Sequence, residues 1–334
     1  MRSISPRLAL VLGLSVVSLS AWAAPEKMQA VEIGDGGRLS VQTRPVPKPG
    51  AGEVLIKVRA AGVNPVDWKS AGRRVGLVAG ADVAGTIDTL GEGVTGLKVG
   101  DAVLGVARQS GGYAEYAVLP VNLLAKKPKT LSYEQAAGIP IAAETAYRAL
   151  HETAKIEKGQ TVLIHGAAGG VGSAAVQIAK AAGAKVIGTA SANNHDFLKS
   201  LGVDQIIDYR SQKFEDVVKN ADIVLNTANA ETNARSIGVV KKGGWLVSIV
   251  GPPDAAACAA AGIHCGMPDR ATGVPSSDLL AKVSELADAG KLSVFVEETF
   301  SMADAEKAWA KSREGHTRGK LVIKVAEGPT MKHQ

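Results

Sequence analysis

The middle of the chain alternates short apolar runs with stretches of helical spacing, and this rhythm is its clearest pattern. Residues 161–164 form a β-branched and aliphatic run that reads as a buried strand, and 173–180, with apolar residues at Val176, Ile178 and Ala179, reads as the helix after it. Further strands are expected at 185–189, 205–207, 222–226 and 245–250, with helices near 195–201 and 232–240. Such alternation predicts an α/β fold with a doubly wound parallel sheet.

The flanks follow other patterns. From 28 to 140 the chain shows short strands with glycine and proline punctuation, candidates lying at 54–58 and 83–89 and turns at 91–93 and 96–101. No helix of length is expected before Ser132, so this part reads as a twisted or barrel-like β domain. Residues 136–151 are helical at both ends and broken near Gly138 and Pro140. Residues 251–275, rich in Ala, Gly and Pro, read as a loop with one short helix at 255–261. A helix at 279–289 ended by Gly290, a strand at 294–297, a helix at 302–312 opened by the Ser301 and Asp304 capping pattern, and a last strand at 320–325 follow. The polar residues 327–334 read as a frayed tail.

A length of 334 residues exceeds what one core normally holds, so two domains are expected, and 46% hydrophobic with 21% charged residues is the balance of a soluble globular protein. Residues 1–24 stand apart. Arg2 and Arg7 give a basic start, 8–20 is an apolar run too short to span a membrane, and Ala21-Trp22-Ala23 has the small-x-small form of a cleavage site. These three parts predict a secretory signal peptide, hence a periplasmic or secreted protein with no stable membrane span after cleavage. A true start at Met28 would instead leave it cytoplasmic.

Cleavage leaves 36 basic against 32 acidic groups, a surplus too small and too scattered to suggest nucleic-acid binding. Cys258 and Cys265 are the only cysteines, able to form a bridge in an oxidising compartment or to stay as free thiols in a reducing one.

Between the strand at 161–164 and the helix at 173–180 lies a glycine turn. Ala167, Gly169 and Gly172 take the three positions of a G-x-G-x-x-G fingerprint, with alanine first. Small residues permit the tight turn, and bare N–H groups around Ala168, Gly169, Gly170 and Val171 can meet a pyrophosphate at the positive end of the new helix. An NAD-selective site places an acid about 20 residues further on, to bind the ribose hydroxyls. Here the corresponding stretch is Thr189-Ala190-Ser191-Ala192-Asn193-Asn194, whose hydroxyl and amide groups can donate to a 2′-phosphate, so NADP(H) is the expected cofactor.

Several spaced motifs carry a wider resemblance: 61–69 (AGVNPVDWK), 80–85 (GADVAG), Gly100-Asp101, 112–116 (GYAEY), Thr145-Ala146, the HGAAGGVG stretch, and Arg318-Gly319-Lys320. With them the chain resembles the zinc-free quinone oxidoreductase (zeta-crystallin-like) branch of the medium-chain dehydrogenase/reductase superfamily, over nearly everything from Met28 to Val325. The resemblance implies a GroES-like, β-rich catalytic domain made of 25–140 and 294–334 and a Rossmann domain at 141–293, with nicotinamide and substrate meeting between them. It also implies Asn64 and Thr145 beside the nicotinamide and its ribose, Ser191 and Tyr209 facing the 2′-phosphate, and Lys320 near the cofactor. Tyr209 could equally be edge-of-sheet packing. Asp67 could orient Asn64, relay a proton, or simply cap a turn. Many relatives carry a basic residue near Asn193, and this sequence does not.

Zinc alcohol dehydrogenases share the resembled fold, but their catalytic cysteine position falls at Asn64 and their Gly-His-Glu at Gly80-Ala81-Asp82, while the four cysteines of their structural lobe are missing. Cys258, His264 and Cys265 make a triplet with no fourth ligand, so no metal is expected. Relatives also have a longer, more apolar wall where this chain has only 70–79, with Arg73 and Arg74 inside it. The expected function is NADPH-dependent reduction of a small-molecule quinone or α,β-unsaturated carbonyl, a quinone or enone oxygen being protonated from water. The alternative is an exported nucleotide-binding protein without turnover, which scarce soluble NADPH outside the cytoplasm would favour. Homodimers are common in the family, and no stretch of this sequence demands one.

Overall fold

Six strands form a parallel sheet in the computed structural model, which describes residues 24–107, 111–268 and 276–325. The leader read in 1–24 lies outside the described residues except for Ala24, as do the tail from 326 and the last part of the 251–275 stretch. The strands run in the order Gln205–Asp208, Lys185–Ala190, Thr161–His165, Ala221–Asn226, Val240–Ser248, His264–Gly266, each parallel to its neighbours. Both faces are covered, which is why the strands read as unbroken apolar runs. Val162 and Ile164 join one core while Leu163 between them joins another on the opposite face. Strand order reverses beside Thr161–His165, and a crevice for ligands opens at such a point, beyond the carboxyl ends of the strands.

The structure differs from the sequence pattern in three places. The helix expected at 232–240 ends early: Glu231–Ser236 is followed by a 3₁₀ turn, Ile237–Val239, and the strand begins at Val240. A register shift opposite Ala221 and Ile223 accommodates the polar Lys241-Lys242-Gly243, which disguises the strand in the sequence. The stretch read as a loop after 251 holds the sixth strand, His264–Gly266, paired with Trp245 to Val247. A short helix, Phe214–Val217, is too brief to show a helical period in the sequence.

A disulfide joins Cys258, in the helix Ala255–Ala261, to Cys265 in that sixth strand. It closes a small loop, and Cys265→Ser is expected to lower stability by about 2–3 kcal/mol through the loosened unfolded chain. Thermal melts of wild type and variant under oxidising conditions test this. Superimposable melts would show that the bridge constrains nothing.

The other large sheet has seven strands. Six follow the order Val296–Ser301, Lys320–Lys324, Glu53–Val63, Asp82–Leu90, Ala102–Val106, Leu124–Lys126, and Tyr116–Pro120 pairs with Glu53–Val63. A separate hairpin, Lys27–Ile33 with Leu39–Pro45, adds to it. Only two of the front strands are legible in the sequence, because the rest are either short, as Ala102–Val106, Tyr116–Pro120 and Leu124–Lys126 are, or mixed with polar and charged residues, as Lys27–Ile33 and Leu39–Pro45 are. The last strand, Lys320–Lys324, runs antiparallel to Glu53–Val63, so the end of the chain returns to the sheet of its beginning. Trp309, on the helix Ala305–Arg313, is buried in the same core as Val54, Ile56 and Tyr113. This return positions the site: Leu321 pairs with Val63 and Gly62 with Asp82, which brings Lys320 and Asp82 to the end of strand Glu53–Val63, beside Asn64. No described helix is long and apolar enough to cross a membrane.

Candidate active site

The glycine turn is shaped by two contacts that no larger residue could keep. Gly166 has φ +67°, and a Cβ there would lie 2.8 Å from the Thr227 hydroxyl, which itself donates to the carbonyl of His165 at 2.7 Å. Gly172 packs its Cα face against the turn, where a Cβ would meet the Gly166 carbonyl at 2.2 Å and the Ala167 Cα at 2.8 Å. The helix that follows, Gly170–Ala181, starts from Gly169 with no side-chain cap, so its first N–H groups are left for a ligand. Ala168, Gly169, Gly170 and Val171 all line one large cleft of about 1180 Å³.

Ser191, Tyr209, Thr145, Asn64 and Lys320 line the same cleft. Asp67 does not. It is 1% exposed and lies behind Asn64 as the third residue of the helix Pro65–Lys69, completing a capping box with Asn64. Its Oδ2 accepts from the backbone N–H of Asn64 at 2.9 Å and from the Tyr113 hydroxyl at 3.1 Å, while Oδ1 is buried without a partner. The carboxylate thus bonds the main chain of Asn64, as a helix cap does.

Around Asn64 the fold assembles a buried cluster that the sequence did not announce. Asn64 Nδ2 donates to Asp82 Oδ2 at 2.8 Å, and Lys320 Nζ donates to Asn64 Oδ1 at 2.5 Å and to the Val63 carbonyl at 3.0 Å. Asp82 Oδ1 accepts from the N–H of Ile141 at 3.1 Å. These bonds fix the amide of Asn64, oxygen toward the ammonium and nitrogen toward the carboxylate. Burial pushes the Asp67 carboxyl up to about 6 and that of Asp82 up to about 7, against the pull of Lys320. Burial lowers Lys320, opposed by both aspartates, and raises the Tyr113 hydroxyl well above its ordinary value. Asp82 and Tyr113 lie within the quoted motifs, yet only the folded chain brings Asp82 to Asn64 and Tyr113 to Asp67.

The wall expected to face a 2′-phosphate is more basic than the sequence suggested. Arg318 donates from Nε to Asn194 Oδ1 and from Nη2 to the Asn193 carbonyl, both at 2.8 Å. A guanidinium thus reaches the loop that has no basic residue of its own, from 124 positions away in the chain. Arg210 adds a second, set over the Tyr209 ring at 5.8 Å and lining the cleft. The Gly319 N–H donates to the Ala168 carbonyl at 2.8 Å, tying this segment to the glycine turn. Tyr209 itself is 54% exposed, so it serves the cleft wall rather than a packed sheet edge. His165, behind the turn, is buried between Thr189 and Ser236, and desolvation lowers it to about 4, which keeps it neutral.

The residues fit a phosphorylated dinucleotide: free N–H groups at a helix start, hydroxyls, amides and two guanidinium groups, and no carboxylate on residues 189–194. They do not fit zinc. The cluster at Asn64 offers carboxylates and an amide with no thiolate or imidazole, and the cation it holds is the Lys320 ammonium. Among the described residues no other group of His, Cys, Asp and Glu is gathered for a metal.

Comparison with known proteins agrees with this geometry. Residues 50–129 match the family described as alcohol dehydrogenase GroES-like domain, and residues 201–323 the family described as zinc-binding dehydrogenase. The chain is 34% identical to the chloroplastic quinone-oxidoreductase QR1 of Triphysaria versicolor, over 84% of this chain and 92% of that one. It is 32% identical to the chloroplastic NADPH-dependent alkenal/one oxidoreductase of Arabidopsis thaliana, over 92% and 83%. The solved quinone oxidoreductase of Coxiella burnetii superposes with a TM-score of 0.81 at 31% identity, over 90% of this chain and all of that one.

Proposed function

The chain belongs to the zinc-free quinone oxidoreductase branch of the medium-chain dehydrogenase/reductase superfamily, and on that premise we propose that it reduces a quinone or α,β-unsaturated carbonyl with NADPH, without metal. The observation that carries the reading is the segment Arg318-Gly319-Lys320, which ties together the loop at 193–194, the glycine turn and Asn64. Arg318 holds the loop at 193–194, Gly319 bonds the glycine turn, and Lys320 bonds Asn64. A nicotinamide held in this cleft would supply the hydride, to the quinone ring or to the β-carbon of the enone, whose carbonyl oxygen would take up the electron pair.

The protein's part is electrostatic and positional. Lys320 uses two of its three N–H donors on Val63 and Asn64 and lines the cleft, so it sets a fixed positive charge where the acceptor oxygen becomes negative. Asn64, locked by Asp82 and Asp67, holds that ammonium in place. In this scheme the proton comes from water. Ser191, Tyr209, Arg210 and Arg318 would take the 2′-phosphate. In this scheme 25–140 with 294–334 form the catalytic domain and 141–293 the nucleotide domain.

Fluorescence titration is expected to show NADPH binding at least about tenfold more tightly than NADH, the effect of a phosphate paired with arginine. Equal affinities would remove the cofactor preference. Oxidation of NADPH in the presence of a quinone and enone panel is the test of turnover; tight binding with no consumption would leave a nucleotide-binding protein instead. Export remains part of the proposal, supported by the leader and by the Cys258 to Cys265 bridge, which suits an oxidising compartment. N-terminal sequencing of the mature protein checks it, a start at Met1 or Met28 refuting cleavage after Ala23. A homodimer is the proposed assembly, to be checked by light scattering.

A further inference from the structure

At the Asn64 end of the cleft, away from the wall suited to phosphate, the rim carries positive charge that the cofactor does not account for. It is built from the helix Pro65–Lys69, the 3₁₀ turn Ala71–Arg73 and the end of the helix Ala305–Arg313. Lys69, Arg73 and Arg313 all line the cleft and are all exposed. Lys69 Nζ lies 5.3 Å from the centre of the Trp68 ring and the Arg313 guanidinium 5.6 Å from it, so one ring holds two like charges close together. Trp68 is itself anchored by its N–H on Ser312 at 3.1 Å.

None of the three cations has a carboxylate partner among the described residues. Asp67, on the same helix, points inward to Asn64 and Tyr113. Glu297, which also lines the cleft, accepts from the backbone N–H of Arg318, and the exposed Glu314 influences Lys311. Arg74, adjacent to Arg73 in sequence, does not line the cleft. Like charges held together without a counter-charge repel, and the repulsion is relieved by an anion bound among them. The exposed Val66, 48% accessible on the same helix, offers apolar surface beside them.

We propose that the substrate is itself an anion: a quinone or enone bearing a carboxylate remote from its reducible bond, gripped by Lys69, Arg73 and Arg313. This rests on the reductase reading above and adds the substrate's charge to it. The guanidinium fork suits a carboxylate, and the distance along the helix from Asn64 to Lys69 separates the acidic group from the reacting carbons.

The test uses a matched pair, (E)-8-oxonon-6-enoic acid and its methyl ester, with NADPH and the full mature chain. Wild type is expected to prefer the acid by about tenfold or more in kcat/KM at low ionic strength, the preference shrinking as salt rises. Arg73→Gln and Arg313→Gln should each reduce the acid-to-ester ratio by roughly threefold, and the double variant should bring it near one. NADPH titration confirms that each variant is folded. A wild-type ratio of one or below, or a ratio unmoved by salt and by the double variant, would overturn the proposal while leaving the reductase reading intact. Turnover of the quinone and enone panel but of neither probe would overturn this proposal alone, and consumption of neither the probes nor the panel would sink the reductase reading with it.

Discussion

Gly172→Ala is expected to weaken NADPH binding by about 100-fold or more and to destabilise the fold by about 1–3 kcal/mol. The new Cβ would stand 2.2 Å from the Gly166 carbonyl and 2.8 Å from the Ala167 Cα, and both are backbone, so no side chain can swing away to admit it. The turn must open, and with it the first N–H groups of the helix Gly170–Ala181 lose their aim. Gly238→Ala is the control, because nothing lies within 4 Å of the Cβ it would gain. Fluorescence titration and thermal melts of the two variants read the difference. Normal NADPH affinity in Gly172→Ala would mean that the turn does not hold the pyrophosphate.

Lys320→Met is expected to cut kcat/KM by about 100-fold or more, since in the proposed mechanism it removes the fixed charge that would face the developing oxyanion. It should also cost about 3–5 kcal/mol of stability, because it leaves buried carboxylates without their cation and strands the Val63 carbonyl and Asn64 Oδ1. The cost depends on pH in a definite direction. Asp82 is raised to about 7 and Asp67 to about 6, above the unfolded value of 3.8, so the folded state binds these protons more tightly. Their contribution is full below about pH 4 and is lost as pH rises through 6 and 7. Without Lys320 the pull that lowers both carboxyls disappears and they rise further. The stability gap between wild type and variant should therefore be smaller at pH 5 than at pH 8. A gap independent of pH would show that Lys320 and the two aspartates are not coupled. Lys320→Arg, which keeps the charge, should recover part of the stability and of the rate.

By itself the sequence determined whatever depends on near neighbours in the chain. The alternation from 161 to 250 is read in short windows, and it matched the parallel sheet except where Lys241-Lys242-Gly243 interrupt a strand and where a three-residue strand is too short to show a period. The glycine turn, the missing acid at 189–194 and the asparagine in place of a zinc-binding thiolate are likewise legible, because each is a residue type at a fixed spacing. Only the tertiary structure decided which way side chains from distant segments face. Antiparallel register brings Lys320 to Asn64 across 256 positions and Asp82 to it across 18, and turns an asparagine motif into a charged, desolvated cluster. It carries Arg318 to the loop at 193–194, and it lines the cleft with Arg73 but not Arg74, although the two are adjacent in sequence. Spacing along a chain cannot encode these meetings, since a strand's register and a helix's facing are set by the packing of the whole core.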